Sequence, residues 1–208
     1  METLKPPHPK SPEMQAYFLA LGEFIDKFTQ VENSLIGLVI VLARIGNAKI
    51  LNTLARDVRV NAAMPMIARL LEIHGIEGDI AVRYRNLQAQ LAIINGARNE
   101  IVHGGLSYGA DGTTEVKRLL PALAGIPNSR RPMSTESVRD MAADLETIHR
   151  EFMELFIRVA VALGHQGSVD PMGPPPTWRY RSPRQAPKAG TRRDRRQRQP
   201  PPPSASQA

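Results

Sequence analysis

From Tyr17 to Leu42 the apolar side chains recur at three- and four-residue steps: Tyr17, Phe18, Leu21, Phe24, Ile25, Phe28, Val31, Leu35, Leu38, Val39 and Leu42. This period matches the 3.6-residue turn of an α-helix and not the two-residue alternation of a strand. The segment must therefore be a long amphipathic helix, starting near Pro12-Glu13 and ending near Gly46, with a stripe to bury. Partners of similar length are needed to cover it, and the rest of the chain supplies them.

A short helix is expected from about Ala48 to Ala55. Another is expected from Val60 to His74, with Met64, Ile67, Leu70 and Leu71 inward and Gly75 as its stop. Gly75-Ile76-Glu77-Gly78 then makes a helix-helix turn. A long helix follows from Asp79, its N-cap, to His103, with the stripe Ile80, Tyr84, Leu87, Leu91, Ile94 and Ile101 and the stop Gly104-Gly105. Residues 106 to 132 read as irregular, with a small hairpin around Gly109-Ala110-Asp111-Gly112. Ser134 or Thr135 caps a last helix carrying Met141, Leu145, Ile148, Phe152, Leu155, Phe156, Val159 and Leu163. The fold expected is all-α, an up-and-down bundle of four to five helices in one domain over residues 13–164. Residues 1–12, with four prolines, form an extended leader. Residues 165–208, with ten prolines, nine basic residues and little apolar content, form a disordered Pro/Arg-rich tail.

The formal charge of +7 belongs to that tail. Residues 165–208 hold 9 of the 27 Lys and Arg and 2 of the 20 Asp and Glu, which leaves 18 of each sign in residues 1–164. The basic balance therefore says nothing about the surface of the folded part. The tail's Arg192-Arg193-Asp194-Arg195-Arg196-Gln197-Arg198 run and its Trp178 cluster suit contacts with RNA phosphates and bases, or simply solubilise the chain. With no cysteine there is neither a disulfide scaffold nor a thiolate metal site. The start lacks the apolar core of a signal peptide, and no apolar run is long enough to span a bilayer, so a cytoplasmic protein is expected. A His-Glu-x-x-His zinc motif, a phosphate-binding Gly-rich loop and a nucleophile elbow are all missing from the sequence.

The residues with the most chemical content are Arg98-Asn99-Glu100-Ile101-Val102-His103, at the end of the fourth helical segment. A histidine can take the proton of a ribose 2′-hydroxyl, and an arginine can hold the charge that builds on the attacked phosphate. Five steps of about 100° place Arg98 and His103 roughly 140° apart around the axis, so they do not share a face. Asn99 and His103, at i and i+4, do share one, and the amide is placed to orient the imidazole. His103 also lies at the negative end of the helix dipole, which favours its protonated form. On the same side run Gln88, Ala92 and Gly96. These small residues either pack within the monomer or meet a second copy across a two-fold axis, which would bring two copies of His103 into one cleft.

Arg98-Asn99-x-x-x-His103, at the end of a long helix in an all-helical chain, resembles the hallmark of the HEPN family, an arginine followed by four to six residues and a histidine. The resemblance covers roughly residues 13–164. It implies a homodimeric, metal-independent endoribonuclease of the toxin-antitoxin or phage-defence kind, with RNA as substrate and an antitoxin-like protein as a further partner. By matching position, Arg98 and His103 would be the catalytic pair and Asn99 the polar supporter, with no cofactor. Other members keep the fold without demonstrated activity, so a non-catalytic helical dimer that binds nucleic acid or protein is the alternative.

Two other readings bear on the same residues. Glu32, on the apolar stripe of the first helix, is placed to pair with Arg98, either as a buried structural ion pair or as a supporting group that positions the catalytic arginine. Glu100-x-x-His103 and Glu146-x-x-His149, with Glu32 and Glu72, would instead make a helical di-metal site. Glu100 lies on the far side of its helix from Arg98, and an arginine beside the site would repel cations. His8, His74 and His165 are expected in solvent.

Overall fold

The computed structural model describes residues 12–47, 49–50, 52–53, 58–108, 114–118 and 130–182, with backbone only for 103–108, 114–118 and 130–132. Four long helices carry the core: α1 (Pro12–Leu42), α2 (Val60–Ile73), α3 (Asp79–His103) and α4 (Thr135–Ala162). The leader expected over residues 1–12 lies outside the described residues except for Pro12. Of the short helix expected over 48 to 55, residues 49–50 and 52–53 are helical, and the Asn47 side chain caps it by accepting from the backbone N–H of Lys49 at 2.9 Å.

The helix ends follow local chemistry. At the end of α2, Gly75 N–H donates to Glu72 O and Ile76 N–H to Leu71 O, the paired bonds of a Schellman motif, with Gly75 at φ 64°. Gly78, at φ 66°, completes the turn into α3. Ser134 caps α4 by accepting from Ser137 N–H at 3.1 Å.

The core stripe is largely where the periodicity put it. Phe24, Leu35 and Leu42 are fully buried on α1, as are Leu87, Leu91 and Ile94 on α3 and Leu145, Ile148 and Phe152 on α4. Each such side chain contributes about 1.5–3 kcal/mol of transfer free energy. Phe18 and Ile25 are exceptions: they lie at the edge of the α1 stripe and are 44% and 39% exposed.

Helix direction departs from an up-and-down run. Contacts of Lys27 with Glu146, Ser34 with His149 and Arg44 with Leu163 rise together along both helices, so α1 and α4 are parallel neighbours over most of their length. The chain then returns before α2, which begins beside the middle of α1 and ends where the His74 ring nitrogen meets Leu42 O at 2.6 Å. His74 is therefore half-buried and tied to the end of α1, not solvated. Helix α3 opposes α4, with Arg83 beside Glu151 and Gln90 beside Asp144.

An addition to the helical bundle is a small antiparallel sheet, β1 (Gly104–Tyr108), β2 (Thr114–Arg118) and β3 (Arg130–Pro132), in the order β1-β2-β3. Its first hairpin pairs Tyr108 with Thr114 across the expected Gly109–Gly112 turn, which itself lies outside the described residues. Strand β1 follows His103 without a loop, so this residue is the joint between α3 and the sheet. Among the described residues, no helix is long and apolar enough to cross a membrane.

The chain beyond 164 corrects the expectation of disorder from His165 onward. Residues 165–182 turn back from the end of α4 and run down its length between α4 and α3, reaching Tyr180, which is 5% exposed. Residues 183–208 lie outside the described residues.

Candidate functional site

Arg98 leaves α3 toward α1, and its guanidinium carbon sits 5.4 Å from the centre of the Phe28 ring. This cation–π contact holds a half-buried positive charge without a carboxylate. The Nη1 nitrogen donates to Asn99 Oδ1 at 3.2 Å, and Nε is buried with no hydrogen-bond partner. A cavity of about 440 Å³ opens beside it, lined by Glu32 of α1, Arg59, Val60 and Asn61 at the start of α2, and Asn95, Arg98 and Asn99 of α3.

Two of the residues selected from sequence, Arg98 and Asn99, thus line one cavity with Glu32. The expected ion pair between Arg98 and Glu32 is not formed: among the described residues, the salt bridges are Lys27–Glu146, Arg83–Glu151 and Arg158–Glu154. The Phe28 ring, one turn before Glu32 on α1, lies against the guanidinium instead. The Asn99 carbonyl oxygen is engaged by Arg98. His103 is the last residue of α3, one turn beyond Asn99, and its side chain lies outside the described residues.

Sequence reasoning missed Arg59, Asn61 and Asn95. Asn95 Nδ2 donates to Asn61 Oδ1 at 2.7 Å, which joins α2 to α3 at the cavity wall. Asn95 precedes Arg98 by three residues and is 8% exposed, so a polar residue at a core position of α3 was the available signal. Arg59 left no such trace, because it stands in the connection before α2.

No protein-family model, no curated protein and no solved structure matches the chain. The cavity must be interpreted from its own chemistry. It offers two arginines, one carboxylate and three side-chain amides, a set suited to a polar, anionic ligand with hydrogen-bonding edges.

Among the described residues, nothing covers Ala92 and Gly96 on α3. Both residues are exposed, and a Cβ placed on Gly96 would meet no atom within 4 Å.

Three residues of the di-metal alternative are held in separate places. His149 Nδ1 is 2.7 Å from Ser34 Oγ, Glu146 is 64% exposed with Lys27 at 3.8 Å, and Glu32 belongs to the Arg98 cavity. Among the described residues, no group of three or more His, Asp or Glu side chains comes together as a metal site would require.

Proposed function

We propose that this chain is a metal-independent endoribonuclease of HEPN type, acting as a homodimer in a toxin-antitoxin or phage-defence setting. The observation that carries the proposal is the state of Arg98: a half-buried guanidinium, oriented by Phe28 and Asn99, uncommitted to a carboxylate and lining an open polar cavity. A structural arginine of this chain looks different. Arg83, 6% exposed, is neutralised by Glu151 at 2.9 Å. An arginine whose charge is left available can take up the charge of a phosphate.

In the proposed reaction, His103 removes the proton of a ribose 2′-hydroxyl and the oxygen attacks the adjoining phosphorus. Arg98 stabilises the charge on the equatorial oxygens, and Asn99 keeps the guanidinium in place. Protonated imidazole then returns a proton to the departing 5′-oxygen, giving a 2′,3′-cyclic phosphate and a 5′-hydroxyl. Because five helical steps put positions 98 and 103 roughly 140° apart around α3, the proposed cleft is completed by a second copy across the exposed Ala92 and Gly96 face.

Incubating the purified protein with RNA in EDTA, beside Arg98→Ala and His103→Ala, tests the proposal. Cleavage that both substitutions abolish supports it. An inactive wild type, or cleavage untouched by either change, rejects it in favour of a non-catalytic helical dimer that binds nucleic acid or protein.

A further inference from the structure

Among the described residues, five polar or charged residues are buried, and three of them, Arg83, Gln90 and Asp144, direct their hydrogen bonds at the returning segment. Arg83 donates to Pro174 O at 3.0 Å and also to Gly173 O. Gln90 donates to Tyr180 O at 3.1 Å. Asp144 accepts from the backbone N–H of Arg179 at 2.8 Å and of Tyr180 at 3.0 Å. These contacts fall on main-chain groups, as a groove that recognises an extended peptide makes them.

Side-chain selectivity comes from the two aromatics. Trp178 donates from Nε1 to Asn86 Oδ1 at 3.1 Å, and the Tyr180 ring is buried in the core. Between the anchors the segment is exposed: Gly173, Pro174, Pro175, Thr177 and Arg179 face solvent. A proline-rich stretch loses little conformational entropy on docking, because its φ angles are already fixed. The link to α4, residues 164–170, makes no comparable anchor. All of its residues are exposed, and Gly164 and Gly167 have φ of 93° and 153°.

We propose that the groove between α3 and α4 is a peptide-recognition site for an extended proline-rich segment ending in Trp-x-Tyr. This chain fills it with its own residues 171–181, and the same residues of a second copy are its ligand in trans. Exchange of such a segment between copies needs no new contacts, only release at the exposed link.

The test begins with the full chain carrying a protease recognition sequence between Gly167 and Ser168, which is cut after folding. The expected result is that the released fragment stays bound through gel filtration at micromolar concentration. Excess labelled synthetic peptide 171–182 should replace it while far-UV circular dichroism keeps its helical signal. Peptides with Trp178→Ala or Tyr180→Ala should compete at least about tenfold more weakly. A fragment that no peptide displaces, a vacated groove that no peptide enters, helices lost with the fragment, or variant peptides that compete equally well would each overturn the proposal. All of these readouts are independent of RNA cleavage.

Discussion

The carboxylate of Asp144, in the second turn pair of α4, accepts from the backbone N–H of Tyr180 at 3.0 Å, although the two residues stand 36 positions apart. A residue 2% exposed thereby closes the fold with a segment whose composition resembles that of a flexible tail.

Asp144→Ala removes the acceptor of three hydrogen bonds, from Gln90, Arg179 and Tyr180. Each polar group left buried and unpaired costs about 1–3 kcal/mol. A loss of about 3 kcal/mol is expected in urea denaturation, and a change of under about 0.5 kcal/mol would show that the strap contributes nothing to stability.

The same carboxyl sets a pH dependence. Burial raises its pKa above the ordinary 3.8, outweighing the N–H donors of Arg179, Tyr180 and Gln90, and Asp140 nearby acts in the same upward direction. The folded chain then holds this proton to higher pH than the unfolded chain does. The stability advantage is complete below the unfolded pKa and is lost as pH rises through the folded one. Relative to Asp144→Asn, which cannot titrate, the wild type should lose stability as pH climbs above 3.8 and then level off. Paired denaturation series between about pH 3.5 and 7 give the sign, and a relative gain with rising pH would contradict it.

Arg98→Lys separates charge from geometry. Lysine keeps the positive charge but has neither the planar fork nor the face that lies on Phe28. Cleavage should fall by roughly 100-fold or more, the scale of losing one transition-state donor. Thermal stability should change by less than about 1 kcal/mol, because the substitution breaks no ion pair.

Glu32→Gln distinguishes a cavity carboxylate from a buried ion-pair partner. Removing one member of a buried pair costs about 3–5 kcal/mol. Since Glu32 forms no ion pair with Arg98, chemical denaturation should register a change of less than about 1 kcal/mol.

Gly96→Gln addresses the exposed face of α3. Open space around Gly96 lets the side chain fit in the monomer, and replacing a mid-helix glycine should stabilise it by about 0.5–1 kcal/mol. If α3 meets its own copy there, light scattering will show the variant as a monomer and RNA cleavage will be lost. An unchanged oligomeric state places any dimer elsewhere.

What the sequence disclosed depended on whether a feature repeats. The stripes of α1, α3 and α4 announce themselves through many side chains at helical spacing, and the Gly75 stop and the Ser134 cap mark the end of α2 and the start of α4. The docked strap repeats nothing. It is held by single side chains from two distant helices, and its prolines satisfy the compositional rule for disorder while lowering the entropy lost on docking. The site was legible in part for the same reason. Arg98 and Asn99 are adjacent in sequence and recognisable together, whereas Arg59, Asn61 and Asn95 become neighbours only after α2 lies against α3. The pairing offered for Arg98 with Glu32 is not formed; helical spacing put Phe28 and Glu32 on one face without deciding which would meet the guanidinium.

The parallel pairing of α1 with α4 sets a timetable for synthesis. Roughly 90 residues separate the end of the first helix from the start of its main partner, and at about 5–20 residues per second the ribosome needs on the order of 5–20 s to make them. During that interval the Phe24, Leu35 and Leu42 stripe has only the later-arriving α2 and α3 to cover it. The nascent chain therefore carries that stripe partly uncovered until α4 is made, and its last protection comes when Tyr180 emerges.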